Sequence, residues 1–168
     1  DPELELALEW SEAVNRDVAR MVHGVPPFPF VRECLERISA FADAMCVSAT
    51  PVAALTAEWE ENNIARYVRL IAGQEAGSKK DMLKAAVSAG YEPSKVLMIG
   101  DAPGDLQAAR SSGARFYPIV PGDEEASWER LLGESLEAFR RGAYSADYEA
   151  VLIDSFLKRL PAVPPWKP

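Results

Sequence analysis

The sequence has 168 residues, 48% of them hydrophobic, which suffices for one domain with a hydrophobic core. Its formal net charge of −8 argues against a nucleic-acid partner, because nucleic-acid binding requires a basic face. No apolar run is long enough to cross a bilayer and the acidic start does not resemble a signal peptide, so we expect a cytoplasmic protein without membrane contact. Cys34 and Cys46 lack a metal-binding spacing, which favours small core residues in a reducing compartment.

The residue pattern in the first part of the chain predicts a helix, a break, a second helix and a strand. Apolar residues at helical spacing run from Leu4 to Val22. The stretch from His23 to Pro29 holds three prolines, which predicts a stiff linker between subdomains. Helical spacing resumes from Val31 to Phe41, and the apolar run from Ala42 to Val47 predicts a short strand.

A hydroxyl-bearing turn follows this strand. Pro51 is suited to the first turn of a helix that runs to about Asn62. The free backbone N–H groups at the start of that helix, together with the Ser48 hydroxyl, predict an anion site. The alternative is that Ser48 or Thr50 serves only as the helix N-cap.

The next strand is predicted from Tyr67 to Ala72, and a loop leads from it to Ser78. Ser78 is expected to cap a helix that starts at Lys79 and Lys80 and runs to Ala89. Lysines are unfavourable at a helix start, because that end already carries partial positive charge. Their presence there suggests a function, such as offsetting the charge of a phosphate. The alternative is a solvated lysine pair.

Two acids flank the next predicted strand end. The unbroken apolar run from Val96 to Ile99 is typical of a strand in a parallel sheet. Asp101 follows at its carboxyl end, and Asp105 opens a helix to about Ser112 that Gly113 terminates. A hard cation would relieve the repulsion between the two carboxylates. The alternative is that Asp105 is an N-cap and Asp101 braces the loop.

The last part of the chain predicts two more strands and two more helices. A strand from Arg115 to Val120 contains a proline and is expected near a sheet edge. A long charged helix is expected from Glu124 to Arg141, a short strand from Tyr148 to Ile153, and a short helix from Phe156 to Leu160. The proline-rich tail after it, residues 161–168, is expected to be loose.

Strands and helices thus alternate, which predicts a Rossmann-like three-layer αβα core with a mostly parallel sheet. Ligands bind such sheets at the carboxyl ends of the strands. Ser48, Lys79, Asp101 and Asp105 each follow a predicted strand or begin the next helix. We therefore expect them to converge at one edge of the sheet.

In this order the residues resemble the haloacid dehalogenase superfamily of phosphatases. Val47-Ser48-Ala49-Thr50 resembles its second motif, and Gly77-Ser78-Lys79-Lys80 resembles its third. The fourth is resembled by Gly100-Asp101-Ala102-Pro103-Gly104-Asp105. Each motif is short, but their order and spacing together are fairly specific, and the likeness extends from about Phe28 onward.

The resemblance implies a role for each motif residue. Ser48 and the Ala49 amide would bind a phosphate oxygen. Lys79 would stabilise charge on the phosphoryl group and the nucleophile, with Lys80 as the alternative. Asp101 and Asp105 would help to hold Mg²⁺, the implied cofactor. These are the parts that phosphoryl transfer needs.

The sequence departs from the family at its first motif, an Asp-x-Asp that supplies the nucleophile and the general acid/base. No Asp-x-Asp occurs in the 168 residues. Asp43 enters a predicted strand rather than leaving one, and Asp154 has Phe156 where the second acid should be. We therefore expect a fragment or a shortened chain that is inactive alone, and less readily a natural pseudoenzyme.

These inferences divide the chain into four parts. Residues 1–23 are a remnant of a helical cap, and residues 24–30 are a cap-to-core linker. Residues 31–160 are the α/β core, and residues 161–168 are the tail. The expected function is that of a Mg²⁺-dependent phosphomonoester hydrolase, similar to phosphoglycolate phosphatase, acting on a small phosphorylated substrate. The alternative is a catalytically silent domain that binds a phosphorylated ligand or a protein partner. By resemblance the missing first strand lies mid-sheet, so the gap requires the missing segment, direct pairing of its neighbours, or a strand from another chain.

Overall fold

The computed structural model describes residues 1–21 and 23–160, which form eight α-helices and four short strands. The helices are α1 Pro2–Met21, α2 Val31–Ser39, α3 Val52–Glu61, α4 Lys79–Ser88, α5 Pro103–Ser112, α6 Glu124–Arg130, α7 Leu136–Arg140 and α8 Ala146–Arg159. The strands are β1 Met45–Val47, β2 Leu70–Ala72, β3 Leu97–Gly100 and β4 Arg115–Pro118. In the part of the chain that the structure describes, no helix is long and apolar enough to cross a membrane.

The strands pair in parallel, as the alternating sequence pattern predicts. β1 pairs with β2 so that Cys46 lies opposite Ile71, and β3 pairs with β4 so that Met98 lies opposite Phe116. The mixed α/β architecture with parallel strands confirms the predicted fold class. Among residues 1–21 and 23–160, no ladder joins β1 to β3, so direct pairing does not close the expected gap.

The core is built on both faces of β4. Phe116 enters a cluster with residues of α4, α5 and α8, whereas Tyr117 enters a second cluster with α2 and α6–α8. Successive strand side chains point to opposite faces, which explains this division. Five buried side chains of the second cluster come from the helices: Cys34, Ile38, Leu131, Leu136 and Leu152. β4 therefore lies between two apolar layers.

The predicted strand from Tyr148 to Ile153 is wrong, because these residues lie inside α8. Ser145 caps that helix by accepting a hydrogen bond from the backbone N–H of Tyr148 at 3.1 Å. Leu152 and Phe156 are four residues apart and buried on one face, while Val151 is 66% exposed. One helix thus replaces the predicted strand and the predicted short helix from Phe156 to Leu160.

Other boundaries differ from prediction by a few residues. Tyr67 belongs to a 3-10 turn, Ala65–Tyr67, so β2 is shorter than predicted. The long C-terminal helix is present as α6 and α7, with one π-helical segment, Leu131–Ser135, between them. The predicted end of the first helix at residue 22 and the tail 161–168 lie outside the described residues.

α1 carries its apolar stripe in solvent rather than in a core. Leu4, Leu8 and Met21 are each more than half exposed, and none belongs to either core cluster.

The linker that follows α1 is hydrogen-bonded to the end of α3. Glu61 accepts a hydrogen bond from the backbone N–H of Gly24 at 2.9 Å, and the Asn62 amide donates to the Val25 carbonyl at 3.0 Å.

α2 holds the β1–β2 half of the molecule to the C-terminal helices. Arg32 donates hydrogen bonds to the carbonyls of Asn62 and Asn63 at the end of α3, where the helix carries partial negative charge. From the same helix, Arg37 donates to the carbonyl of Leu132 at 2.7 Å. The two guanidinium groups therefore connect α3 to the π-helical segment.

We expect Phe156→Ala to lower the free energy of unfolding by about 3–5 kcal/mol, because it empties a fully buried site beside Phe116. Val151→Ala, on the exposed side of the same helix, should change it by no more than about 0.5 kcal/mol. Urea denaturation followed by circular dichroism measures both. Equal losses in the two variants would contradict the helical assignment of residues 146–159.

Candidate functional site

The Ser48 turn lies directly after β1. The backbone N–H of Ser48 donates to the carbonyl of Ala72 at 3.0 Å and extends the pairing with β2. The Ser48 hydroxyl accepts from the backbone N–H of Thr50 and donates to the Thr50 hydroxyl, both at 3.1 Å. Within the described residues the exposed Ala49 N–H has no hydrogen-bond acceptor. The turn therefore offers one backbone donor and one hydroxyl that can exchange its partner.

The start of α3 differs from the predicted anion site. Pro51 is the N-cap residue, α3 begins at Val52, and the alternative that Ser48 or Thr50 caps this helix does not hold. The Val52 N–H instead donates to the carboxylate of Glu75, with N–O distances of 3.0 and 3.3 Å. An acid of this chain therefore already occupies the first N–H group of the helix.

The start of α4 distinguishes its two lysines. Ser78 is the N-cap, as predicted, and forms a capping box with Asp81. The hydrogen bond from the Ser78 hydroxyl lowers the pKa of the Asp81 carboxyl. Lys79 is half-buried and its ammonium lies 2.5 Å from Asp105, whereas Lys80 is exposed and forms no ion pair within the described residues. Of the two lysines, Lys79 is the one whose ammonium connects α4 to α5.

Asp105 is 1% exposed, and both of its carboxylate oxygens are engaged. One oxygen contacts the Lys79 ammonium, and the other accepts the backbone N–H groups of Asp101 and Ala102 at 3.2 Å each. A buried carboxylate is tolerated when it is paired and hydrogen-bonded in this way. Asp105 therefore fixes both the lysine and the loop that follows β3.

Gly100 makes this arrangement possible. A Cβ atom at residue 100 would lie 2.5 Å from a carboxylate oxygen of Asp105 and 2.6 Å from its Cβ atom. Only a residue without a side chain permits this approach of backbone to carboxylate. The glycine that ends β3 thus has a packing reason.

Asp101 is exposed, and its carboxylate makes no hydrogen bond or ion pair within residues 1–21 and 23–160. It is therefore available to a cation, whereas the oxygens of Asp105 are already occupied. The described residues contain no group of three or more acid, histidine or cysteine side chains that could hold a metal. The residues present therefore do not make up a complete Mg²⁺ site by themselves.

The two cysteines are not activated nucleophiles. Burial raises the pKa of the Cys34 thiol to about 12, and its sulfur lies 3.5 Å from the carbonyl of Trp128. The pKa of Cys46 is raised to about 11 by burial and by the negative charge of Glu58, against the opposing positive charge of Lys79. Neither thiol is therefore suited to act as a nucleophile in the folded chain.

A surface depression of about 420 Å³ lies away from these residues, at the amino ends of β1 and β2. Two arginines line it. Arg69 is paired with Asp43 at 2.9 Å, and Arg66 lies 4.9 Å from the centre of the Tyr67 ring. Asp43 matches one of the two arginine charges, and the depression lies at the end of the strands opposite to Ser48 and Asp101, so it is separate from the candidate site.

The structure brings Lys79 and Asp105 into direct contact and places Ser48 and Asp101 directly after β1 and β3. Sequence reasoning missed Glu75 and Gly73, which contact the start of α3 from the neighbouring loop. A glutamate in a polar loop has no sequence signal that separates it from a solvated residue. The contact depends on the parallel pairing of β1 with β2, which sequence periodicity does not specify.

The fold and the site together define a class: an α/β protein that carries a hydroxyl, a paired lysine and an acid after its parallel strands. A sequence model of the family described as haloacid dehalogenase-like hydrolase matches residues 4–119, well over half of the chain. The chain belongs to this family. Comparison with the curated proteins and with the solved structures gave no match to this sequence.

We expect Lys79→Met to lower the free energy of unfolding by about 2–4 kcal/mol, because it leaves the buried Asp105 carboxylate without its cation. The double variant Lys79→Met/Asp105→Asn should recover part of this loss, since no charge is then buried. Lys80→Met should stay within about 0.5 kcal/mol of the parent chain. Additive losses in the double variant, measured by urea denaturation, would contradict the pairing.

Both thiols should react slowly in the folded chain. The pKa of about 11 at Cys46 and about 12 at Cys34 leaves little thiolate at pH 8.5, so alkylation by iodoacetamide should be roughly 100-fold slower at Cys46 and roughly 1,000-fold slower at Cys34 than for an ordinary cysteine. The urea-unfolded chain serves as the control and should react at the ordinary rate. Rapid labelling of the folded chain, located by mass spectrometry, would refute the burial argument.

Proposed function

We propose that this chain forms the phosphate-binding core of a Mg²⁺-dependent phosphomonoester hydrolase, similar to phosphoglycolate phosphatase. The observation that supports this most directly is the Lys79 ammonium. It is held by a buried carboxylate at the start of α4, the helix that follows β2. A fixed cation at the carboxyl ends of parallel strands is suited to stabilise the charge that develops on a phosphoryl group.

The Ser48 turn supplies the second part of the proposed site. The Ala49 N–H is free to donate to a phosphate oxygen, and the Ser48 hydroxyl can turn from Thr50 to the same anion. Donors of this kind bind a phosphate by direct hydrogen bonds and orient it towards the lysine. In this proposal Ser48, Ala49 and Lys79 bind the phosphate, and Lys79 also stabilises the reacting group.

The nucleophile is proposed to come from a segment outside the 168 residues. No Asp-x-Asp occurs in them, and neither cysteine is activated. β1 and β3 are not paired with each other within the described residues, so each has an edge free to accept a strand. An inserted strand would place its carboxyl end between the Ser48 turn and Asp101. The missing segment or a neighbouring chain could supply it.

Mg²⁺ is proposed as the cofactor, with Asp101 as the ligand that this chain contributes. A divalent cation bound there would offset phosphate charge when the remaining oxygen ligands are present. Asp105 is proposed to act behind it, since its oxygens bind Lys79 and the backbone of residues 101 and 102. With one available carboxylate, the chain alone should bind Mg²⁺ weakly, which titration calorimetry measures.

The function is tested with p-nitrophenyl phosphate, Mg²⁺ and two proteins: the 168-residue chain and the product of the longest reading frame that contains it. The long protein should hydrolyse the ester, and the chain alone should not. In the long protein, Lys79→Met should lower kcat at least about 100-fold, while Lys80→Met should leave it nearly unchanged. Inorganic phosphate, titrated into the chain alone, should shift the amide resonances of Ser48 and Ala49.

The outcomes separate the two functions that the sequence suggested. Metal-dependent turnover by the 168-residue chain at the rate of the long protein would show that the nucleophile is misplaced. Phosphate binding without turnover in the long protein would favour a silent binding domain. No phosphate binding by either protein, together with no turnover, would overturn the proposed site.

A further inference from the structure

The loop between β2 and α4 contacts the start of α3 at several points. The backbone N–H of Gln74 donates to the carbonyl of Thr50 at 3.0 Å. The Glu75 carboxylate accepts from the Val52 N–H with both oxygens. A Cβ atom at Gly73 would lie 2.4 Å from the Val52 nitrogen and 2.7 Å from the Thr50 carbonyl oxygen. The two loops therefore meet at backbone distance.

Glu75 supplies a cap that α3 lacks in its own sequence. The N-cap residue Pro51 has no side chain that can accept a hydrogen bond, so the Val52 N–H would otherwise lack a partner. The carboxylate also lies at the positive end of the helix, which favours a negative charge there. The cap comes from a residue 23 positions further along the chain, so it links two separate loops.

Both phosphate-binding elements lie one short segment from this junction. Ser48 and Ala49 precede Val52 in the turn after β1, and Lys79 begins α4 four residues after Glu75, at the end of the loop that follows β2. Lys79 is anchored by Asp105 on its other side. The Glu75 contact is therefore one of the connections between the hydroxyl turn and the loop that leads to the lysine, beside the Gln74–Thr50 hydrogen bond and the pairing of β1 with β2.

We propose that Glu75 is a positioning residue, which fixes the turn of residues 48–50 relative to Lys79. The proposal rests on the proposed function, because it assigns Glu75 a part in arranging that phosphate site. Glu75 does not touch the phosphate, and its effect passes through the Val52 N–H. A simple cap would affect only the stability of α3, so the two roles differ in what the loss of Glu75 does to phosphate binding.

The test compares Glu75→Ala, Glu75→Gln and Glu60→Ala in the 168-residue chain. Glutamine keeps an oxygen that can accept from the Val52 N–H, so it should rescue the loss caused by alanine. Glu60 is an exposed residue of α3, the helix that Glu75 caps. Its side chain makes no hydrogen bond or ion pair within the described residues, so it is the matched control. Inorganic phosphate is the probe, with amide resonances of residues 48 and 49 as the signal.

We expect Glu75→Ala to weaken phosphate binding about tenfold, Glu75→Gln to stay within about threefold, and Glu60→Ala to match the parent chain. Unchanged affinity in Glu75→Ala despite a lower melting temperature would show a simple cap and overturn the proposal. Tighter binding in both Glu75 variants would also overturn it, because the carboxylate would then act by repelling phosphate.

Amide hydrogen exchange provides a readout that does not need phosphate. In Glu75→Ala the hydrogen-bonded amides of Ser48, Thr50, Val52 and Gln74 should all exchange faster, and Glu75→Gln should restore their protection. Acceleration confined to Val52 would overturn the positioning role even if no variant binds phosphate. If the parent chain fails to bind phosphate while this exchange pattern appears, the proposed function fails and the link between the two loops stands.

Discussion

The contact between Lys79 and Asp105 is the interaction on which the candidate site depends. The carboxylate is buried and the ammonium is half-buried, so the geometry of both is restricted. Removal of a charge from water costs several kcal/mol, and here one cation and two backbone N–H groups offset that cost. The pair holds the start of α4 against α5, and it fixes the backbone that carries Asp101. One buried carboxylate thus orients a lysine and an acid that sequence reasoning had treated as separate motifs.

Much of the fold follows from local sequence signals. Ser78 before Lys79 predicts a capped helix start, and Gly113 predicts a helix end with a left-handed residue, which the structure has at φ 70°. The short apolar runs before Ser48 and Asp101 predict the parallel strands β1 and β3. These signals succeed because capping and chain reversal depend on only a few neighbouring residues.

The error at residues 148–153 has a physical cause. Val151, Leu152 and Ile153 form an apolar run, and a short run is compatible with a strand or with a buried helix. Ser145 and the buried Phe156 distinguish the two, because they extend the pattern to a capped helix with one apolar face. The contact of Glu75 with α3 could not be predicted in this way, since it depends on how β1 and β2 pair.

The distribution of packing explains how the described residues form a core without a ladder between β1 and β3. Both apolar clusters are centred on β4 and include α8, whereas the residues of β1 are only half-buried. Each of the two sheets has internal hydrogen bonds, so the cost of the open edges falls on a few groups of β1 and β3. α2 connects the halves through Arg32 and Arg37, at backbone carbonyls on opposite sides. A strand added between β1 and β3 would satisfy those edges and bury the exposed parts of Met45, Val47, Leu97 and Ile99. Binding of such a strand and assembly of the phosphate site would then be one event, because the same strand ends carry Ser48 and Asp101.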